Sequence, residues 1–337
     1  MSLKIPGLAD MHVHLRQDNM LKAVVPTVAE GGVSVAYVMP NLIPPITTVD
    51  ACLQYKKEIE QLDSKTTYLM SLYLSPETTP EVIYEAAKKG IRGVKSYPKG
   101  ATTNSESGVE SYEPFYPTFA AMQETGMILN IHGEVPPSKD NTVFTAEPKF
   151  LPTLLDLHQR FPKLKIVLEH CTTADAVEAV KACGESVAGT ITAHHLYLTQ
   201  KDWQDDPYCF CKPVAKTERD RRALIEAATS KNPKFFFGSD SAPHPRSSKL
   251  KTPPAAGVFT QPFAASYLAE VFDKEGRLDA LKDFACIFGR KFYCIPLDFK
   301  ESNIVLKKES FRVPESVAND LVPFHPNEVL QWHCSWE

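Results

Sequence analysis

The chain has 337 residues, 43% hydrophobic and 23% charged, with a formal net charge of −4. That is enough apolar material for a sizeable core in one large domain or two average ones, and it lacks the basic footprint of a nucleic-acid binder. No apolar run approaches the roughly 20 residues that cross a bilayer, and the opening MSLKIPGLAD carries no apolar signal segment.

Eight strand segments are expected in chain order: LADMHVHL (8–15), VSVAYVMP (33–40), TTYLMSLYL (66–74), IRGVKSY (91–97), MILNIHGE (127–134), KIVLEHC (165–171), VAGTITAHHL (187–196) and FFFGSD (235–240). These continuous β-branched, apolar runs suit strands buried on both faces of a parallel sheet. Helices are expected between them: 49–62 by its amphipathic spacing, 78–90 between a Thr/Pro/Glu start and Gly90, and 172–184 and 217–230 by similar cues. The alternation predicts an α/β fold, a (β/α)8 barrel over residues 1–290, for which about 250 residues are typical. Past residue 290 it fades, and 291–337 is expected to be an irregular C-terminal extension packed on the barrel. Segments 99–111, 133–144 and 241–257, rich in small polar residues and proline, read as long rim loops. No glycine-rich phosphate-binding motif follows a strand, which disfavours a nucleotide-binding sheet.

Eight cysteines (52, 171, 183, 209, 211, 286, 294 and 334) are scattered with no C-x-x-C pair. They are expected to be reduced thiols in a cytoplasmic protein. Cys209-x-Cys211 has no second pair near it, so ordinary burial is the reading over a zinc site.

Metal-binding residue types fall at the ends of these runs. His12 and His14 are two apart on the first strand, so both rings share a face and reach one cation. His132 ends ILNIH, His170 ends IVLEH and Asp240 ends FFFGSD, where a buried carboxylate is costly without a cation or donors. A barrel brings such strand ends together at its C-terminal mouth. Lys95 fits a cationic centre only if its charge changes. A desolvated lysine loses its proton readily, and the neutral amine adds carbon dioxide to give a carbamate able to bridge two metals about 3.5–4 Å apart. Taken singly, each histidine also reads as a core residue, Asp240 as a helix cap and Lys95 as a solvent-facing lysine. Arg16, Asn41 and His244 together offer a planar fork and two N–H donors to a carboxylate.

The stretches DMHVHLR (10–16), MPN (39–41), GVKSYP with ATT (93–103), NIHGE (130–134), EH (169–170) and GSDSAPH (238–244) resemble the dihydroorotases of the amidohydrolase superfamily, in particular their compact monofunctional class. The resemblance implies two zinc ions per chain, one held by His12, His14 and Asp240 and the other by His132 and His170, bridged by N6-carboxylated Lys95 and hydroxide. It implies that Arg16, Asn41 and His244 bind the substrate carboxylate, and that Thr102 and Thr103 lie on a mobile loop closing over it. Lys212 and Ala256 would touch the pyrimidine ring through their main chains. The implied reaction interconverts N-carbamoyl-L-aspartate and (S)-dihydroorotate in pyrimidine synthesis, with Asp240 as the proton carrier, and the implied assembly is a homodimer. Two readings stay open: another cyclic amidohydrolase (dihydropyrimidinase, hydantoinase or allantoinase), whose metal cage would look the same, and a non-catalytic scaffold homologue.

Overall fold

The computed structural model describes residues 1–297, 303–318 and 320–337. Eight parallel strands form one sheet in sequential order: β2 (Leu8–Val13), β3 (Val33–Val38), β4 (Thr67–Tyr73), β5 (Gly93–Ser96), β6 (Ile128–His132), β7 (Ile166–Glu169), β8 (Val187–Ile191) and β9 (Phe235–Phe237). Each coincides with an expected segment, trimmed at its ends. The sheet closes where Val13 bridges Ser241 in parallel and the Asp240 amide donates to the His12 carbonyl at 2.8 Å. The result is a (β/α)8 barrel.

Its side chains sort by face. Ala9, Met11, Val35, Tyr37, Leu69, Ile128, Val167, Ala188 and Phe236 pack together with Tyr293. The opposite-facing Leu8, Ala36, Val38, Tyr68 and Met70 belong to the larger cluster shared with the helices. This alternation follows from the period of a strand and gives a filled barrel rather than a pore. Gly93 in β5 is required by space: a Cβ there would lie 2.4 Å from the Ile128 carbonyl oxygen and 2.6 Å from the Tyr37 hydroxyl.

Of the expected helices, Val49–Leu62 starts at Thr48, whose side chain accepts from the Ala51 amide at 3.2 Å. Glu218–Thr229 starts with a reciprocal capping box between Thr217 and Asp220. Helices at Tyr116–Thr125, Ala146–Arg160 and Ala264–Lys274 complete the outer layer and were not expected from local patterning. Among the described residues, no helix is long and apolar enough to cross a membrane.

The tail departs from expectation. Instead of being irregular, β10 (Asn303–Arg312) and β11 (Val329–Trp336) pair antiparallel, and β1 (Ser2–Pro6) adds to β10, giving a three-stranded sheet in the order β1-β10-β11. Residues 298–302 of that tail, and 319, lie outside the described residues. Alternation buries Ile304 and Leu306 on β10 and Leu330 and Trp332 on β11. Trp332 donates to Asp273 Oδ2 at 3.0 Å on the helix Ala264–Lys274. Truncating a buried tryptophan typically costs about 3–5 kcal/mol, so this sheet is bound firmly to the barrel. The strand at Ser2–Pro6 was missed because its partner lies at the other end of the chain.

Candidate active site

The chain leaves β2, β6, β7 and β9 at one mouth of the barrel, and there the histidines meet. A register irregularity between Asp10 and Val13 turns the end of β2. His12 Nε2 then lies 3.4 Å from His14 Nε2 and 3.3 Å from Asp240 Oδ1, and His14 Nε2 lies 3.0 Å from the same oxygen. The His170 ring is 5.1 Å from that of His12 and 4.7 Å from that of His132, centroid to centroid. His12, His170 and Asp240 present ligand atoms within 4.8 Å of one another.

Some of the chain's backbone strain falls at this site. Arg16, His170 and Asp240 have positive φ, at 63°, 39° and 46°. Such conformations cost about 1–3 kcal/mol each and persist where the surroundings hold them. For His170 the holding bond runs from its amide to Thr190 Oγ1 at 2.7 Å.

Lys95 sits beneath the histidines. It is 0% exposed, its Nζ has no hydrogen-bond partner among the described residues, and that nitrogen lies 4.9 Å from the centre of the Tyr97 ring. Burial lowers its pKa to about 8, so a neutral amine is within reach at physiological pH. A buried ammonium without an acceptor is expensive. The orphaned amine, the four imidazoles and the carboxylate together suit a pair of divalent cations joined by a carboxylated lysine.

The groups that aim these rings are not among the candidate site residues of the sequence. His12 Nδ1 is 2.8 Å from Glu169 Oε2, which also accepts from Thr190 Oγ1 at 2.6 Å. Glu169 Oε1 accepts from Asn130 Nδ2 at 2.6 Å, and Asn130 Oδ1 accepts from the Tyr37 hydroxyl at 2.8 Å. The same Asn130 amide contacts the Tyr293 hydroxyl at 2.6 Å. A carboxylate on one ring nitrogen leaves the other free for a metal, the usual outer support of a metal-binding histidine. Burial opposes charge on His12, but Glu169 and then Asp240 outweigh it and raise its pKa to about 9. Glu134 stands in the same relation to His132, at 2.7 Å from Nε2. A carboxylate inside the apolar strand IVLEH was the available signal for Glu169.

His12, His14, His132, His170, Asp240, Arg16, Asn41, Thr102, Thr103, Lys212 and Ala256 line one cleft. Lys95 lies under it, and His244 stands behind it, 3.2 Å from Arg16 Nη2 and 2.8 Å from the Ala256 carbonyl oxygen. Arg16 Nε donates to the Pro243 carbonyl at 2.9 Å, fixing the plane of its fork. The 99–111 loop reaches over the rim: Asn41 Nδ2 donates to the Thr103 carbonyl at 3.1 Å, and Asn104 Nδ2 to the Asn41 carbonyl at 2.9 Å.

A second group, His194, His195 and Cys211, also brings ligand atoms within 4.8 Å. Two of its members already have partners. His195 contacts Thr192 Oγ1 at 2.9 Å and the Pro213 carbonyl at 3.1 Å, and the Cys211 thiol donates to that same carbonyl at 3.1 Å. The eight cysteines are all unpaired thiols.

Histidines and a carboxylate gathered at the C-terminal mouth of such a barrel define an amidohydrolase, and the amidohydrolase family model matches residues 67–259. A dihydroorotase of Saccharomyces cerevisiae is 46% identical over 97% of this chain and 96% of its own length, and one of Aliivibrio fischeri is 43% identical over 98% of each. The crystal structure of the S. cerevisiae dihydroorotase in complex with 5-fluoroorotic acid superposes with a TM-score of 0.96 at 45% identity, covering 100% of this chain and 99% of that one. The chain belongs to the dihydroorotase family, hydrolases that act on cyclic amide C–N bonds.

Proposed function

We propose that this site interconverts (S)-dihydroorotate and N-carbamoyl-L-aspartate with two zinc ions. His12, His14 and Asp240 would hold one, His132 and His170 the other, with Lys95 carboxylated on Nζ between them. When bound, the ions supply Lewis acidity for the amide carbonyl and an acidic water. The chain's own residues do the rest. Arg16, Asn41 and His244 hold the substrate carboxylate and set the ring against the cluster. Asp240 takes the proton of the attacking water and delivers it to the ring nitrogen as the C–N bond breaks, acting as base and then as acid. In the synthetic direction it accepts the proton from the carbamoyl nitrogen that closes the ring. Glu169 keeps His12 in the tautomer that presents Nε2 to the cation. Thr102 and Thr103, on a loop touching Asn41, would shield the bound ring, and the main chains of Lys212 and Ala256 would touch it.

The observation that carries this reading is Arg16. Its guanidinium lies at the cleft beside the imidazole cluster, held flat by Pro243, with His244 at its far end. A cyclic amide without a carboxylate has no use for that fork. The 5-fluoroorotic acid bound by the yeast relative is itself a pyrimidine carboxylic acid. Arg16→Met is expected to raise KM for dihydroorotate by about 100-fold, the scale of a lost charge-assisted bidentate bond, while metal content by elemental analysis stays at the wild-type level. Unchanged KM in the folded variant would remove Arg16 from the substrate pocket.

A further inference from the structure

Lys249 is a buried cation with no part in the chemistry above. It ends the short helix Arg246–Lys249 within the 241–257 rim segment and is 3% exposed. Among the described residues, no carboxylate lies within ion-pair distance of it. Its Nζ instead donates to three main-chain carbonyls: Phe210 at 3.0 Å, Ala255 at 2.9 Å and Gly257 at 2.7 Å. An ammonium has three donors, and here each meets an acceptor. Burial lowers its pKa to about 8, which leaves it mainly protonated at neutral pH.

These carbonyls belong to two segments far apart in sequence. Phe210 precedes Cys211 and Lys212, and Ala255 precedes Ala256 and Gly257; all four of these following residues line the cleft. The Gly257 amide also donates to the Phe210 carbonyl at 3.0 Å, so the segments touch through one backbone bond besides the lysine. We propose that Lys249 is a positioning residue that fixes the spacing of the 210–212 and 255–257 segments and thereby the grip of the site on the substrate ring. The proposal rests on the dihydroorotate reading, in which the main chains of Lys212 and Ala256 face that ring. Lysine suits the task because it gathers three oxygens at one point, whereas a planar guanidinium spreads its donors.

The test uses the full-length chain with metal bound and the variant Lys249→Met, which keeps the side-chain length and removes the donors. Amide hydrogen exchange in 209–213 and 253–258, without ligand, is expected to quicken at least about tenfold while the barrel strands are unaffected. KM for dihydroorotate is expected to rise about tenfold with kcat within about threefold and metal content unchanged, a split that a general loss of structure would not produce. Should Lys249→Met fail to fold, Lys249→Gln, whose shorter side chain and two N–H donors cannot gather all three carbonyls, takes the same measurements with a smaller change in the same direction expected. Wild-type exchange in both segments overturns the clamp, and quickened exchange with KM unchanged overturns its link to binding. A wild-type chain that fails to open dihydroorotate while exchange still responds defeats the substrate assignment and leaves the clamp in place.

Discussion

Asp240→Ala is expected to lower kcat for dihydroorotate by about 1,000-fold or more, because one side chain carries two duties. General acid–base transfer alone is worth about 100- to 10,000-fold. Asp240 also faces His12 and His14 through a single oxygen, at 3.3 and 3.0 Å, so its removal opens the cation site as well. Burial opposes ionisation of this carboxyl, yet His12 and the other imidazoles hold it well below the usual carboxylate range. Asp240→Asn keeps the shape and loses the base. It is expected to retain more metal than Asp240→Ala while remaining equally slow. Steady-state turnover with metal analysis on both variants checks this, and a residual rate within tenfold of wild type in either would exclude Asp240 as the proton carrier.

Lys95→Met is expected to have opposite effects on activity and on the bare fold. Methionine fills nearly the same volume and cannot form a carbamate. Without the bridge, the metal content should fall from about two per chain to one or fewer and kcat by at least about 100-fold. The chain stripped by a chelator should melt no lower than stripped wild type, since a buried ammonium with no acceptor among the described residues is replaced by an apolar side chain. The chemistry of the bridge balances simply: the neutral Lys95 amine adds carbon dioxide, an N–C bond forms and one proton leaves. Full activity in Lys95→Met, or a large fall in the melting temperature of the stripped variant, would make Lys95 a packing residue instead.

The barrel was legible because each strand is a short apolar run long enough to announce itself. Its closure was inferred from the count of such runs and became concrete only in the Val13–Ser241 bridge. The tail was not legible. Ile304 with Leu306, and Leu330 with Trp332, are two-residue alternations too brief to stand out, and β10 needs Ser2–Pro6 from the far end of the chain to become a central strand. Helices such as Ala146–Arg160 hid behind an internal proline, Pro152, which argues against a helix when read locally.

At the site, the residues recognisable by chemical type, His12, His14, His132, His170 and Asp240, do converge. The supports around them were harder to foresee. Glu169, Asn130 and Tyr37 come from three different strands and Tyr293 from beyond the barrel, and only the closed fold reveals that they form one chain of hydrogen bonds ending on His12. Lys249 was hidden for the same reason: KLK in a polar loop reads as solvent-facing until three carbonyls surround it.

The decisive comparison is the turnover of dihydroorotate against dihydrouracil, the same ring without the carboxylate, by the zinc-loaded wild-type chain. A site built around Arg16 should favour dihydroorotate in kcat/KM by at least about 100-fold. Equal turnover of the two rings, or opening of dihydrouracil alone, would contradict the assignment of a carboxylate-bearing substrate.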